Sequence, residues 1–168
     1  MTFGMPTIAA ISGHFCAAGG MMGLCFDYRI MSNDRGFFFI PGVDLGLVYS
    51  PLQTAVMTTK LPTSMYRDVI IMNNRRWVAD ELVEREVIES AVPSDEVVPA
   101  ALELAQTLKA KGVGPARAAM GGIKAAVYKP VLDALEVQGA MGYSGRTKGV
   151  DRPDPSVMSG PGGKRAKL

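Results

Sequence analysis

The segment at residues 6–27 constrains the fold more than any other part of the chain. A short apolar run, Ile8–Ile11, is bounded by a proline and a glycine, and this pattern predicts a short buried strand. Small residues follow at positions 17–20, and the apolar stretch at 21–26 has the length of a helix. The sequence therefore predicts a strand, a tight small-residue turn and a helix N-terminus in immediate succession.

The predicted turn has two interpretations. Backbone N–H groups at a helix start lack partners within the helix and lie at the positive end of its dipole. Ala17, Ala18 and Gly19 leave room for a ligand oxygen, which suits an anion or an oxyanion developing on a carbonyl. Neither GxGxxG nor Gly-Lys-Ser/Thr is present, which disfavours a nucleotide loop. The residues alone favour the other interpretation, close packing of the helix on the strand through the same three residues.

The rest of the chain alternates strand-like and helix-like patterns before a Gly/Pro-rich end. Asn33 to Gly36 forms a turn cluster in which Asp34 is expected to be solvated. The predicted elements are strands at 27–32 and 37–40, helices at 51–60, after Pro62 and at 77–85, a strand at 86–92, a helix that Ser94 caps, and helices over 116–142 divided by Pro130.

Several sequence segments together resemble one superfamily. They are PTIAAISGH at 6–14, AAG at 17–19, DYRIM at 27–31 and DRGF at 34–37. In this order they resemble the enoyl-CoA hydratase/isomerase (crotonase) superfamily, most closely its plant-type peroxisomal Δ3,Δ2-enoyl-CoA isomerases. The resemblance implies an α/β fold, a spiral of ββα units that finishes in helices at subunit interfaces. Because members have several strands and helices before the position of Pro6, it also implies an N-terminally truncated domain.

The resemblance and the composition together divide the chain into three parts. We expect a partial crotonase-like core at 1–112, a C-terminal helical region for oligomerisation at 113–143, and a disordered tail at 144–168. The tail holds five glycines and three prolines and ends in Ala166-Lys167-Leu168, similar to the Ser-Lys-Leu peroxisomal address. We therefore expect import into the peroxisome matrix by its receptor, the alternative being a solvated tail that no receptor reads.

An enoyl-CoA isomerase takes a proton from the α carbon of a thioester and returns it at the γ carbon. Two backbone donors stabilise the dienolate oxygen, and a positioned carboxylate carries the proton. By resemblance, the N–H of Ala18 is one donor, with Ala17 and Gly19 beside it. The other donor belongs to the part of the family domain that precedes Pro6.

The carboxylate is harder to place. The family's glutamates correspond to Met21, Gly42 and Ser50, so two-carboxylate hydration is disfavoured here. Asp44 lies in the loop that carries family acids and is the candidate base. Its alternative role is to organise its own loop through side-chain hydrogen bonds, while Tyr49 and Ser50 are possible hydrogen-bonding partners of a ligand.

Three apolar side chains, Met22, Phe37 and Phe39, are candidates for lining an acyl pocket, with core packing as the alternative. His14 is the single histidine and is expected to bond within its turn. The free cysteines, Cys16 and Cys25, form no CxxC or Cys/His cluster, so no metal or redox cofactor is implied.

Composition restricts the partners. Residues 144–168 hold six Lys/Arg and two Asp, so the remaining chain has 12 basic and 14 acidic residues and offers no basic patch for nucleic acid. No apolar run is long enough to span a membrane. By resemblance to the superfamily, the expected ligand is an acyl-CoA thioester. Three alternatives follow from the resemblance: an isomerase in a homo-oligomer or hetero-oligomer, a non-catalytic crotonase-like subunit that pairs with a full-length paralogue, or a fragment of a longer family member.

Overall fold

The computed structural model describes residues 1–141. The predicted tail at 144–168, its terminal tripeptide and the last two residues of the region at 113–143 lie outside the described residues. The elements, in chain order, are β1 (Ile8–Ile11), β2 (Phe15–Cys16), α1 (Ala17–Leu24), β3 (Tyr28–Ser32), β4 (Phe38–Phe39), a 3-10 turn (Val43–Leu45), α2 (Pro51–Lys60), a 3-10 turn (Thr63–Met65), a π-helical turn (Tyr66–Ile71), α3 (Ala79–Glu84), β5 (Ser90–Val92), α4 (Val97–Leu108), a 3-10 turn (Lys109–Gly112), α5 (Gly114–Val127) and α6 (Lys129–Met141).

Strands β1, β3 and β5 form a parallel sheet in the order β1-β3-β5. Ile8 pairs with Tyr28, and Ile30 pairs with Ser90. Parallel neighbours need crossover connections, and α1 supplies the one between β1 and β3. Ile30 and Met31 are buried, so the central strand contributes its apolar side chains to the core.

A second, two-stranded parallel sheet leads into α1. Strand β2 pairs with β4, which places Phe15 beside Phe38 and Cys16 beside Phe39. The rings of Phe15 and Phe38 are buried, with centroids 4.8 Å apart. The strand predicted at 37–40 is therefore present but shorter, and Phe39 on its outer face is only partly buried.

Helix α2 begins where the Ser-Pro pair predicts. The Ser50 hydroxyl accepts a bond from the Gln53 N–H at 3.2 Å, and the Gln53 carboxamide oxygen accepts one from the Ser50 N–H at 2.8 Å. These reciprocal bonds satisfy two backbone donors at the helix start. At the other end, Lys60 Nζ donates to the Phe26 carbonyl at 3.0 Å and to Tyr128 Oη at 2.9 Å, which ties α2 to the C-terminal helices.

Helix α5 is tied to the sheet by an ion pair. Lys124 Nζ lies 2.6 Å from Asp27 Oδ2 and donates to the Met5 carbonyl at 2.8 Å. The same carboxylate oxygen accepts bonds from the Thr7 N–H at 2.7 Å and the Thr7 hydroxyl at 2.8 Å. Burial alone would raise the pKa of Asp27, but the bonds from Lys124 and Thr7 outweigh it and hold that pKa below its ordinary value.

The structure corrects the prediction that Ser94 caps a helix. Helix α4 begins at Val97, and Ser94 instead donates from both its N–H and its hydroxyl to Asp34, at 3.1 and 2.6 Å. Asp34 is exposed, as expected, but it is not merely solvated, because the Ser32 hydroxyl also donates to it at 2.7 Å. These bonds from Ser94 and Ser32 lower the pKa of Asp34 to about 2.

Two helix predictions differ from the structure in extent or type. Helix α1 starts at Ala17, four residues before the apolar stretch, because the small residues of the turn are themselves helical. The segment predicted as a helix after Pro62 is a 3-10 turn, Thr63–Met65, followed by the π-helical turn Tyr66–Ile71. Apolar spacing does not distinguish these tighter and wider turns from an α-helix.

Candidate functional site

The small-residue turn lies at the junction of β2 and α1. Cys16 is extended at the helix N-cap and makes no side-chain cap bond, and Ala17 then adopts φ 49°. This left-handed conformation is uncommon for a residue with a side chain and costs on the order of 1–3 kcal/mol. The chain thereby turns sharply into α1, and the first N–H groups of the helix are left without a capping side chain.

The glycines of α1 are of two kinds, those that pack against the small sheet and one that faces open space. A Cβ atom at Gly23 would lie 2.3 Å from the Phe15 ring, and one at Gly20 would lie 2.9 Å from Ile40 Cδ1. A Cβ at Gly19 would meet nothing within 4 Å, and Ala18 is exposed. Close packing of α1 on the small sheet therefore depends on Gly20 and Gly23, whereas Ala18 and Gly19 face open space.

A cavity of about 380 Å³ opens beside the start of α1. It lies between the helix, the end of β4, the loop that follows and the first turn of α2, and its surface is mainly apolar. Its lining residues are Ala17, Ala18, Met21, Ile40, Pro41, Gly42, Leu45, Leu47, Val48, Tyr49 and Gln53.

Tyr49 and Gln53 carry the polar side-chain groups of this lining. Tyr49 Oη accepts a bond from the Gly42 N–H at 2.9 Å and donates to the Ile40 carbonyl at 3.0 Å. Burial raises the pKa of the Tyr49 phenol above its ordinary value. The residues that line the cavity within the described part of the chain include no Asp, Glu, Lys, Arg or His.

Asp44, the predicted base, does not line the cavity. It is exposed in the 3-10 turn Val43–Leu45, and its carboxylate accepts a hydrogen bond from Asn73 Nδ2. The next residue, Leu45, is the one that lines the cavity. The structure therefore places Asp44 beside the cavity wall, with its side chain joined to the segment that follows the π-helical turn.

The three predicted acyl-pocket residues lie elsewhere. Met22 is 67% exposed and lines a separate groove beside β1. Phe37 and Phe39 are half-buried under the Arg76 guanidinium, 4.7 and 5.3 Å from their ring centroids. The His14 ring lies 4.4 Å from the Phe37 ring between centroids and is tilted at 54° to it. None of these side chains is among the residues that line the cavity.

The apolar wall that the sequence analysis missed comes mainly from one loop. Leu45, Leu47 and Val48 line the cavity, and Met21 completes the wall from α1. The sequence signal was present, since the loop between Pro41 and the helix start at Pro51 holds four large aliphatic residues, Val43, Leu45, Leu47 and Val48, and exposed apolar residues in a cluster mark a binding surface.

The part of the chain that the structure describes contains no group of three His, Cys, Asp or Glu residues placed to hold a metal ion. Nor does any helix in that part have the length and apolar character needed to cross a membrane. Cys16 and Cys25 are both free and partly buried.

The sequence profile of the family described as "Enoyl-CoA hydratase/isomerase" matches residues 1–148. Among curated proteins, the chain is 36% identical over 109 residues to "Enoyl-CoA delta isomerase 2, peroxisomal" from Arabidopsis thaliana, covering 64% of this chain and 45% of that protein. It is 33% identical over 109 residues to "Enoyl-CoA delta isomerase 3" from the same plant, covering 64% of this chain and 46% of the relative. The chain thus spans about half the length of these relatives.

Solved structures resemble the fold over most of the described chain. An enoyl-CoA hydratase from Mycobacterium ulcerans superposes with a TM-score of 0.70 at 16% identity, covering 84% of this chain and 61% of that one. A monofunctional enoyl-CoA isomerase from Mycobacterium smegmatis superposes with a TM-score of 0.57 at 21% identity, covering 84% and 59%. The expected crotonase-like α/β fold is confirmed by these neighbours. The profile matches residues 1–148, and the parallel strands, the turn and the helices agree with it. This chain therefore belongs to the enoyl-CoA hydratase/isomerase family.

Proposed function

We propose that this chain acts on unsaturated fatty acyl-CoA thioesters as an enoyl-CoA isomerase. The observation that carries the proposal is the apolar cavity that opens directly onto Ala17 and Ala18 at the start of α1. A thioester needs such a pair of environments, an apolar channel for its acyl chain and backbone donors for its oxygen. The relatives named as enoyl-CoA delta isomerases support this reaction over others of the family.

In the proposed reaction, the thioester oxygen lies against the Ala18 N–H. As the α proton leaves, negative charge moves onto that oxygen, where the uncapped helix start stabilises it. The proton returns at the γ carbon, so the double bond moves with no net loss or gain of atoms. The acyl chain extends along Met21, Leu45 and Leu47.

Asp44 is the proposed proton carrier. It precedes the cavity-lining Leu45, and it must exchange its bond to Asn73 for a position facing the cavity. The test is the rate at which the full chain converts a 3-enoyl-CoA into the conjugated 2-enoyl-CoA, followed by absorbance. Asp44→Asn should lower the rate at least about 100-fold, the contribution of a general base, whereas Asp95→Asn, an exposed matched control, should leave it unchanged.

A second candidate function follows from the absence of acidic residues among those that line the cavity in the described chain. A subunit that holds acyl-CoA without converting it needs the oxygen donors and the apolar wall but no base. Such a protein would bind octanoyl-CoA, show no isomerase turnover and form a stable complex with a full-length paralogue on size-exclusion chromatography. Turnover by the isolated chain, lost on Asp44→Asn, would refute it.

We also propose that the C-terminal helices form a subunit interface. Ile123 and Val127 lie one turn apart on α5 and are 63% and 60% exposed. Exposed apolar residues in such a row favour burial against another chain. Ile123→Ser together with Val127→Ser should reduce the molar mass measured by light scattering, and an unchanged mass would contradict the proposed interface.

Peroxisomal localisation is proposed from the terminal Ala166-Lys167-Leu168 and from relatives whose names include the peroxisome. A fluorescent protein fused before Met1 should co-localise with a peroxisomal marker. Removal of the last three residues should make the fluorescence diffuse. Co-localisation that survives this truncation would show that the tripeptide is not the address.

A further inference from the structure

Gly42 is required for space rather than for conformation. Its φ of −59° and ψ of −51° lie in the right-handed helical region, which every L residue adopts. A Cβ atom built at residue 42 would lie 2.2 Å from both Cζ and Oη of Tyr49. Non-bonded carbon atoms pack at about 3.5–4.0 Å. The Tyr49 phenol therefore fills the volume that any side chain at residue 42 would need.

The phenol is fixed in this position. Its oxygen accepts from the Gly42 N–H at 2.9 Å, and its hydrogen is donated to the Ile40 carbonyl at 3.0 Å. Ser50, the next residue, is the N-cap of α2 and is itself held by the capping box with Gln53. Displacing the ring therefore breaks two hydrogen bonds while its backbone stays in place.

The positions of Gly42 and Tyr49 determine which chemical groups a ligand meets at this part of the cavity wall. Gly42 and Tyr49 line the same cavity as Ala17 and Ala18. Proton transfer to carbon or activation of water needs an acid or base within hydrogen-bond reach of the reacting atoms. With its hydrogen engaged and its pKa raised by burial, the phenol is a neutral group at physiological pH. It is therefore suited to neither task.

Resting on the proposed function, we infer that Tyr49 is the specificity-determining residue of this cavity. By filling the room of a residue-42 side chain, it keeps an acid at that position, and the water that such an acid would activate, away from the bound thioester. The cavity then accepts an unsaturated thioester without adding water across its double bond. Tyr49 exerts its effect by occupying the space beside residue 42 and takes no part in the chemical step, so it is a positioning residue and not a catalytic one.

The first experiment measures the coupling between the two positions in the full chain, with octanoyl-CoA as the probe. Gly42→Ala should weaken binding at least about tenfold, since the added Cβ forces the phenol from its place. Tyr49→Leu lacks the Cζ and Oη atoms and keeps an apolar side chain. In that background Gly42→Ala should change the Kd less than about threefold.

Tyr49→Phe is the matched control, because phenylalanine keeps Cζ, the atom 2.2 Å from the added Cβ. Gly42→Ala should therefore remain harmful in the Tyr49→Phe background. The same pattern should appear in the thermal midpoints, which need no ligand. If Gly42→Ala has the same effect in all three backgrounds, Tyr49 does not occupy the room of residue 42 and the inference is overturned.

The second experiment measures the reaction that Tyr49 excludes. Water addition to a 2-enoyl-CoA forms a C–O bond at C3 and a C–H bond at C2, while one O–H bond of water and the C2–C3 π bond break, with no external oxidant or reductant. Gly42→Glu with Tyr49→Leu should form 3-hydroxyacyl-CoA at least about tenfold faster than Gly42→Gln with Tyr49→Leu, because a glutamate activates water and a glutamine does not. Its rate should fall at acidic pH, where the new carboxylate is protonated. Equal rates for the two variants, or equal hydration by Gly42→Glu with Tyr49 intact, would overturn the inference.

These outcomes are separate from those of the proposed function. A wild-type chain that shows the coupling but no isomerase turnover refutes the isomerase proposal alone. A wild-type chain that turns over 3-enoyl-CoA but shows no coupling refutes the role of Tyr49 alone.

Discussion

The ion pair between Lys124 and Asp27 connects the C-terminal helices to the sheet, and its removal is a direct test of that connection. Replacing Lys124 with Met keeps an unbranched apolar side chain and removes the ammonium. Asp27 then loses the donor that lies 2.6 Å from its Oδ2, and the Met5 carbonyl loses a donor at 2.8 Å.

The expected cost follows from the burial of both side chains. They are 11% and 14% exposed, close to the fully buried pairs for which loss of one partner costs about 3–5 kcal/mol. Asp27 keeps its two bonds from Thr7, which lessens the penalty for the unpaired carboxylate. We therefore expect Lys124→Met to lower the free energy of unfolding by about 2–3 kcal/mol.

Urea unfolding followed by tryptophan fluorescence measures this change, because Trp77 is the single tryptophan and is buried. Lys129→Met is the matched control. Lys129 pairs with Asp133 one turn along α6, but both side chains are more than half exposed, so its loss should cost only about 0.3–0.5 kcal/mol.

The pH dependence gives a second measurement on the same variant. The pKa of Asp27 is lowered in the folded state, so its stabilising contribution is present above the ordinary value of 3.8 and is lost as pH falls through the lower folded value. Without Lys124 that dependence should be smaller. Equal losses for Lys124→Met and Lys129→Met, or an unchanged pH dependence in Lys124→Met, would refute the reasoning.

Two further predictions concern the loop before α4 and the packing of α1. Because the pKa of Asp34 is lowered to about 2, the wild-type protein should lose stability as pH falls from about 4 towards 2. In acid-titrated thermal melts, Asp34→Asn should lose less stability over that range. The same pH dependence in the variant would contradict this prediction. Gly23→Ala should destabilise by about 1–3 kcal/mol in urea unfolding, since its Cβ would lie 2.3 Å from the Phe15 ring, whereas Gly122→Ala, with nothing within 4 Å, should be neutral or stabilising. A neutral Gly23→Ala would show that the ring moves freely.

Local features of the fold were predictable because neighbouring residues determine them. The apolar run at Ile8–Ile11, the Ser50-Pro51 helix start and the division of the C-terminal helices, which falls at Tyr128 just before the predicted Pro130, each depend on a few adjacent positions. Ser94 was misread because its partner, Asp34, is 60 positions away in sequence. A good capping residue binds whichever donor or acceptor the fold brings near it.

The candidate site was predictable in its backbone but not in its walls. The turn at Ala17 and Ala18 is a local motif and lies where the sequence placed it. The wall is a product of tertiary packing, so Leu47 lines the cavity whereas Met22 and Phe39 do not. The relation between Gly42 and Tyr49 was hidden because sequence alone does not show which side chain fills the space above a glycine.

The parallel order β1-β3-β5 has a consequence for the folding rate. β1 and β3 pair across 20 positions, Ile8 with Tyr28, whereas β3 and β5 pair across 60, Ile30 with Ser90. Each pairing must close its loop before its contacts compensate for the lost chain entropy, and long closures slow folding. During synthesis, β1 and β3 are both complete before residues 90–92 are added, whereas the pairing of β3 with β5 must wait for those residues. The edge of β3 that later pairs with β5 therefore stays unpaired longer than the edge that pairs with β1. At this stage of synthesis the exposed strand edge is prone to aggregation, and a chaperone would protect it.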